Sequence, residues 1–293
     1  MVAQSVSDSI DGHDRVQVSY ESLGLKLECV INTPSEKIHE NIKTNIRRGH
    51  PQVWPCNPMK RVNGELVKND VVLGIVAGGP SLADSIEDIR ELQVSGGKIV
   101  ALANTARFLV DNGIRPNAHV LLDAKPRNAE FVVPCVKTTY FIASQCDPSV
   151  FDEAEKTGND IYIWHAVNND SDFQEITDHY EMWVPVQSGA TIALRALRLF
   201  SILGYSRFEM FGFDSCKIDG KHHAYEQPDA DSQPSFKLSV NDRVFDVSPW
   251  MINQFMEFME IIRREGAEWE MKVHGDGLIA YLVKEGAKIA LEE

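Results

Sequence analysis

The run Val71-Val72-Leu73-Gly74-Ile75-Val76-Ala77 passes directly into Gly78-Gly79-Pro80-Ser81-Leu82, and an amphipathic segment continues to about Leu92. An apolar, β-branched run, a glycine-proline turn and a helical period spell a buried strand, a tight turn and a helix start. Adjacent glycines let a backbone approach a ligand closely. Ser81 is placed to cap the helix, and the free amides of a first helical turn form an anion site. A nucleotide-phosphate loop is the functional expectation. A ligand-free strand-to-helix turn carries the same signature, because neither three spaced glycines nor the Lys-Ser/Thr ending of a P-loop is present.

From Asp70 onward, short apolar runs alternate with helical segments. Lys98–Ala103, Ala118–Leu122, Thr139–Ala143, Ile161–Trp164 and Arg207–Gly212 read as strands. Ala106–Asn112, stopped by Gly113, and Thr191–Leu203, stopped by Gly204, read as helices. This alternation predicts an α/β fold, a Rossmann-like and largely parallel sheet with helices on both faces. Four units are expected: an N-terminal extension over 1–69, the nucleotide-binding core over 70–216, a lid or hairpin excursion over 217–248, and a helix and strand over 249–293 that complete the core. Within the extension, 1–14 reads as polar and frayed, Arg15–Tyr20 as a strand and Ser35–Arg48 as a helix. Ser235–Val247 reads as a hairpin around Asn241-Asp242.

The 293 residues suffice for a full core, and the formal net charge of −14 argues against bulk binding to nucleic acid or anionic membrane. A local basic cluster (Lys43, Arg47, Arg48, Lys60, Arg61) reads as solvated surface or a seat for an acidic partner. Five scattered cysteines without a Cys-x-x-Cys pair fit a reducing compartment. No leader and no membrane span is expected, so the location expected is cytoplasmic. Homo-oligomerisation stays open.

In parallel sheets ligands bind beyond the carboxyl ends of the strands. Ser81, Asn104-Thr105, Asp123 and Asp214 each follow an expected strand, which makes them candidates for one crevice. Gln187-Ser188-Gly189-Ala190-Thr191 forms a second loop before a helix, where Ser188 or Thr191 caps and the amides of Gly189 and Ala190 face an anion. Plain capping accounts for that loop equally well. Asp123 and Asp214 suit a ribose hydrogen bond, a divalent metal or a base, and turn-forming aspartates look the same. Lys125 and Arg127 are within reach of a phosphate or are surface charges. His222 and His223, with Tyr225 close by, lie in a polar stretch where a core role is not expected. A loop histidine of near-neutral ordinary pKa is a candidate base, and an exposed pair is the plainer alternative. His119 and His165 read as packed core histidines. No metal is favoured, since no Asp-x-Asp pair or zinc-type spacing occurs.

Gly78-Gly79-Pro80-Ser81-Leu82, Asn112-Gly113-Ile114-Arg115-Pro116-Asn117 with Asp123, Ser188-Gly189, and Phe211-Gly212-Phe213-Asp214 with Asp219-Gly220-Lys221-His222-His223-Ala224 occur in this order. Together they resemble the MptE-like family, named for 6-hydroxymethylpterin diphosphokinase, which includes the glycosyltransferase-like motility accessory factors. The layout is also similar to bacterial sialyltransferases that use CMP-sialic acid. Here the two glycines are adjacent, where that loop usually carries a residue between them.

The resemblance implies that Gly78, Gly79, Pro80, Ser81, Leu82 and Asn104 hold a nucleotide, that Ser188 and Gly189 face the donor phosphate or sugar, and that His223 is the base. The reading of the residues adds Thr105, Ala190 and Thr191 as nucleotide-binding candidates and His222 and Asp214 as catalytic candidates. The expected function is a metal-independent, nucleotide-sugar-dependent glycosyltransferase acting on a hydroxyl acceptor. The alternative is an ATP- and Mg²⁺-dependent diphosphokinase, with Asp123 and Asp214 holding the metal. A non-catalytic nucleotide-binding module is the third reading.

Overall fold

The computed structural model describes residues 2–10, 13–20, 25–30, 33–53, 61–62, 65–66, 70–135, 137–167, 169–187, 189, 191–226, 235–266 and 269–285, those before residue 33 and at 61–66 as backbone only. Strands β1 (Val2–Ile10), β2 (His13–Tyr20) and β3 (Leu25–Val30) make an antiparallel three-stranded sheet, so the expectation of a frayed 1–14 is corrected. The pairing sets Val6 opposite Val16 and Val2 opposite Tyr20. Helix α1 (Ser35–Asn45) follows, extended by a 3₁₀ turn at Ile46–Arg48, and β4 (Arg61–Val62) and β5 (Glu65–Leu66) form a small ribbon.

The main body is built from β6 (Leu73–Val76), α2 (Ile86–Val94), β7 (Lys98–Leu102), α3 (Thr105–Asp111), β8 (Ala118–Leu121), β9 (Thr139–Ala143), α4 (Pro148–Lys156), β10 (Ile161–Ala166), α5 (Asp170–His179), β11 (Pro185–Val186), α6 (Ile192–Ile202) and β12 (Arg207–Phe211). A hairpin of β13 (Phe236–Val240) and β14 (Arg243–Val247), then α7 (Pro249–Glu265), β15 (Glu270–Val273) and α8 (Leu278–Lys284), complete it. Eight strands lie in the order β11-β10-β9-β8-β7-β6-β12-β15, all paired parallel. The chain steps outward from β6 to β11 and then returns to the opposite side of β6 for β12. That reversal puts the topological switch point, where such sheets open a crevice, at the carboxyl ends of β6 and β12.

Period-two burial sorts β6, β7 and β12 between two cores. Leu73, Ile75, Val100, Leu102, Phe208 and Met210 face one cluster with α1, α4, α5, α6 and α7. Val76, Ile99, Ala101 and Phe211 face the other with Ile89 and Leu92 of α2 and Ala106 and Leu109 of α3. Gly74 is required here by packing, since a Cβ would lie 2.7 Å from Leu92 and 3.3 Å from Phe211. The helix after the glycine turn begins as a 3₁₀ segment (Pro80–Ser85) before α2. The helix expected over Thr191–Leu203 runs Ile192–Ile202 with Thr191 at its N-cap position. The polar termini of α4 and α5 explain two helices that the apolar period alone did not reveal: Asp147 accepts from the Ser149 N–H at 3.1 Å, and Asn169 from the Asp172 N–H at 2.8 Å. Among the described residues no helix is long and apolar enough to cross a membrane.

Candidate functional site

The loops after β6, β12 and β15 meet at Asp214. Its Oδ2 accepts the Ser81 N–H at 2.9 Å, and only 2% of the residue is exposed. A Cβ on Gly79 would strike Asp214 Oδ2 and the Gly212 carbonyl oxygen, and one on Gly275 or Gly277 would strike Ser81 or Asp214. Gly212 has φ +61°, and a Cβ there would strike the Ala77 carbonyl. These glycines are therefore demanded by three loops closing on one carboxylate. Burial raises the Asp214 pKa, hydrogen bonds from Ser81 pull it back, and the Asp276 carboxylate raises it further.

This geometry corrects the sequence reading of the glycine loop at two points. Gly79 occupies the N-cap position with Pro80 first in the 3₁₀ turn, so Ser81 is not the cap. The N–H groups of Gly79, Ser81 and Leu82 donate to Gly212 O (2.8 Å), Asp214 Oδ2 (2.9 Å) and Gly79 O (3.0 Å), so these three amides are spent inside the protein. Gly78 is close to the chain rather than open: a Cβ there would strike Tyr225 Oη and lie 3.2 Å from His223 Cδ2.

The β7 end is shaped by a left-handed alanine. Ala103 has φ +45°, uncommon for a residue with a Cβ, and its carbonyl accepts from His119 Nε2 at 2.8 Å. His119 is buried and burial lowers its pKa to about 4, so the neutral ring with its proton on Nε2 holds the turn. Thr105 is buried, with its hydroxyl against Val76 O (3.0 Å) and Leu102 O (2.8 Å) and accepting the Leu102 N–H. It ties β6 to β7, while Asn104 is half-buried at the N-cap of α3. At the β8 end, burial raises the pKa of half-buried Asp123, with Lys125 and Arg127 lowering it.

Ser188 and Ala190 of the second loop lie outside the described residues. Gly189 is buried at φ +104° and Thr191 is half-buried. Sequence reasoning missed the residue that shapes this loop. Arg195, buried on the first turns of α6, donates from Nε to Gly189 O at 2.9 Å and from Nη1 to Val186 O at 3.0 Å. Desolvation lowers its pKa to about 10, opposed by the Glu257 carboxylate. The available signal was an arginine inside the apolar period Ile192-Ala193-Leu194-Arg195-Ala196-Leu197.

The polar stretch after β12 comes back over the glycine loop. The Ala224 N–H donates to the Gly78 carbonyl at 3.1 Å, and the Tyr225 ring lies 5.9 Å from His223 and 5.8 Å from Phe108 of α3. His222 is buried and His223 half-buried, with ring centroids 6.4 Å apart. The hairpin that follows is docked through buried Phe245 and Val247 and an Arg243–Asp276 ion pair of 2.7 Å, next to the Gly275–Gly277 turn. The structure thus places Gly78, Gly79, Ser81, Asp214, His223 and Tyr225 together at the switch point. Asn104-Thr105 and Asp123 stand at the ends of β7 and β8, on the same edge of the sheet.

Other candidates resolve into structural roles. His165 is buried at 1% exposure against Tyr180 and Trp183, with a pKa lowered to about 3 by burial and by His179. Lys43 and Arg47 pair with Glu175, and Arg48 with Asp152 and Glu155, so the described part of the basic cluster stitches α1 to α4 and α5. Arg61 is described as backbone only, and Lys60 lies outside the described residues. Among the described residues no group of three or more His, Cys, Asp or Glu side chains able to bind a metal occurs; of the two strand-end carboxylates, Asp214 has Oδ2 committed to the Ser81 amide inside a glycine cage, and Asp123 is half-buried at the β8 end.

No curated protein matches the chain. Among solved structures, a Maf glycosyltransferase from Magnetospirillum magneticum AMB-1 shares the fold, with TM-score 0.63 and 20% identity over 83% of this chain. The match covers 36% of that protein, so the chain spans about a third of its length. The family described as 6-hydroxymethylpterin diphosphokinase MptE-like matches residues 40–220, from within α1 to the polar stretch before His222, and takes in the glycine loop, both strand-end aspartates and the second loop. The chain belongs to this MptE-like family.

Proposed function

We propose that the chain is a nucleotide-sugar-dependent glycosyltransferase that uses His223 as its base. The observation that carries this reading is the return of the 222–225 stretch onto the glycine loop, pinned by the Ala224 N–H to Gly78 O bond of 3.1 Å. It sets a half-buried imidazole against Gly78, beside the crevice that a parallel sheet opens for ligands. In the reaction, His223 accepts the proton of an acceptor hydroxyl, the freed oxygen bonds to the anomeric carbon, and the nucleotide leaves with the bonding pair. Because the amides of Gly79, Ser81 and Leu82 are engaged, the leaving phosphate is assigned to the positive charges at the β8 end, Lys125 and Arg127, and to the 187–191 loop at the start of α6. Asp214 acts as the clasp that shapes the site, and a donor nucleotide sugar and a hydroxyl-bearing acceptor are the ligands implied. The fold shared with a glycosyltransferase is consistent with this reading.

The family's name keeps a second reading in view, diphosphoryl transfer from ATP to a pterin-like alcohol with Mg²⁺. It needs carboxylates free to meet a metal-bound phosphate; Asp214 is enclosed by the glycine loops, so in that reading half-buried Asp123 carries the metal contact. Thermal-shift measurements separate the two. Stabilisation by CMP, UDP or GDP without metal supports the transferase, whereas stabilisation by ATP only with Mg²⁺ replaces it with the kinase.

A further inference from the structure

Three consecutive carbonyls at the end of β8 are each gripped by a different side-chain amide. Gln145, from the loop after β9, donates to Leu122 O at 3.1 Å. Asn128, from the following 3₁₀ turn, donates to Asp123 O at 3.1 Å. Asn41, from α1, donates to Ala124 O at 3.4 Å and to Gln145 O at 3.0 Å, which locks the first of these grips. One turn along α1, Asn45 donates to Ser144 O at 2.9 Å and Cys146 O at 2.7 Å. Asn41 and Asn45 are 1% and 0% exposed, and Asn128 is buried.

Backbone carbonyls at strand ends are ordinarily left to water or to a helix cap. Burying amide side chains to hold them is costly, the more so because the Oδ1 atoms of Asn41 and Asn45 are left without a hydrogen-bond partner. Spending four such side chains on residues 122–124 and 144–146 fixes the backbone on both sides of the Asp123 carboxylate. The helix that supplies two of them lies in the extension whose role the sequence did not disclose. It is held in turn by the ion pairs of Lys43 and Arg48 and by Lys37 to Asp147 at 3.6 Å.

We infer that Asn41 and Asn128 are positioning residues. With Gln145 they form an amide cage that presets the Asp123 carboxylate for a ligand's polar groups at the β8 end, and α1 is thereby part of the binding site. The ligand in this inference is the nucleotide of the proposed function, on which its second test arm rests. Neither asparagine touches the ligand. Each acts by denying the 122–124 backbone alternative conformations, the form of preorganisation by which a supporting shell sharpens a site.

The first arm needs no ligand. Hydrogen exchange of the amides at 122–125 should speed up by about tenfold or more in Asn41→Ala and in Asn128→Ala, with β6 and β7 unchanged. Unchanged exchange at 122–125 in either folded variant overturns the cage. Should Asn41→Ala fail to fold, Asn128→Ala decides alone.

The second arm is a double-mutant cycle on the affinity for CMP, UDP or GDP, whichever stabilises the wild type. Asn128→Ala should weaken binding by about tenfold in the wild-type background and by little in Asp123→Ala. Additive losses in the two backgrounds, or no loss in the wild-type background, overturn positioning through Asp123 even if exchange has risen. If none of these nucleotides binds the wild type, the proposed function fails and the exchange arm alone judges the cage.

Discussion

At the scale of single residues, the glycines and histidines of this chain are set by what they touch. Gly79 has an ordinary φ of −62°, so a substitution there is opposed by contact rather than by backbone strain. Gly79→Ala is expected to destabilise by about 2–3 kcal/mol, since neither the Gly212 carbonyl nor the enclosed Asp214 can retreat. Gly113, at φ +75° with nothing within 4 Å of a Cβ, should cost about 1 kcal/mol through strain alone. Urea unfolding of the two alanine variants checks the ranking. His119 and His165 give a second expectation. Their folded pKa values, about 4 and about 3, lie below the ordinary 6.5. The unfolded chain therefore takes up protons first. Stability is fully present above about pH 6.5 and falls as pH drops, by about 2 kcal/mol for each ring by pH 5. Because neither ring nitrogen of His165 has a hydrogen-bond partner, His165→Phe should be tolerated at pH 7 and should flatten the fall between pH 6.5 and 5.

At the scale of elements, local sequence was most legible where a pattern serves one strand or one turn. The β6 run, the Asn112-Gly113 stop and the Asn241-Asp242 hairpin all follow from periodicity and turn chemistry, and Asn241 takes the left-handed φ of +52° that such a turn asks for. The position of Asp214 just past β12 was legible too, but its partner was not. Ser81 is 133 residues away, and nothing in either segment announces a carboxylate that binds the other loop's amide. The same holds for α1, whose Asn41 and Asn45 read as polar helix residues until the carbonyls of 124 and 144–146 are placed beside them. Arg195 illustrates what a buried charge does at this scale, holding the loop before α6 by two carbonyls and facing Glu257 of α7. Arg195→Leu should cost about 3 kcal/mol or more, because it removes both grips and leaves Glu257 without that neighbouring charge. A thermal midpoint within a degree of wild type would contradict this.

At the scale of the whole molecule, an eight-stranded parallel sheet with its reversal beside β6 explains why motifs far apart in the chain converge. The loops after β6, β12 and β15 close on Asp214, the 222–225 stretch folds back over Gly78, and α1 reaches across to brace the β8 and β9 ends. These loops lie at the strand ends beside the switch point, where parallel sheets bind their ligands, and the chain's membership in the MptE-like family fits that architecture. In the function proposed above, His223 performs the chemistry of a sugar transfer there. The direct measurement is nucleotide release from a panel of CMP-, UDP- and GDP-linked sugars by the wild type and by His223→Ala, with thermal midpoints recorded for both. One donor should be turned over by the wild type. His223→Ala should retain the fold and nucleotide binding while its rate falls by about 10²–10⁴-fold. No release from any donor, or equal rates in the two proteins, would contradict the account.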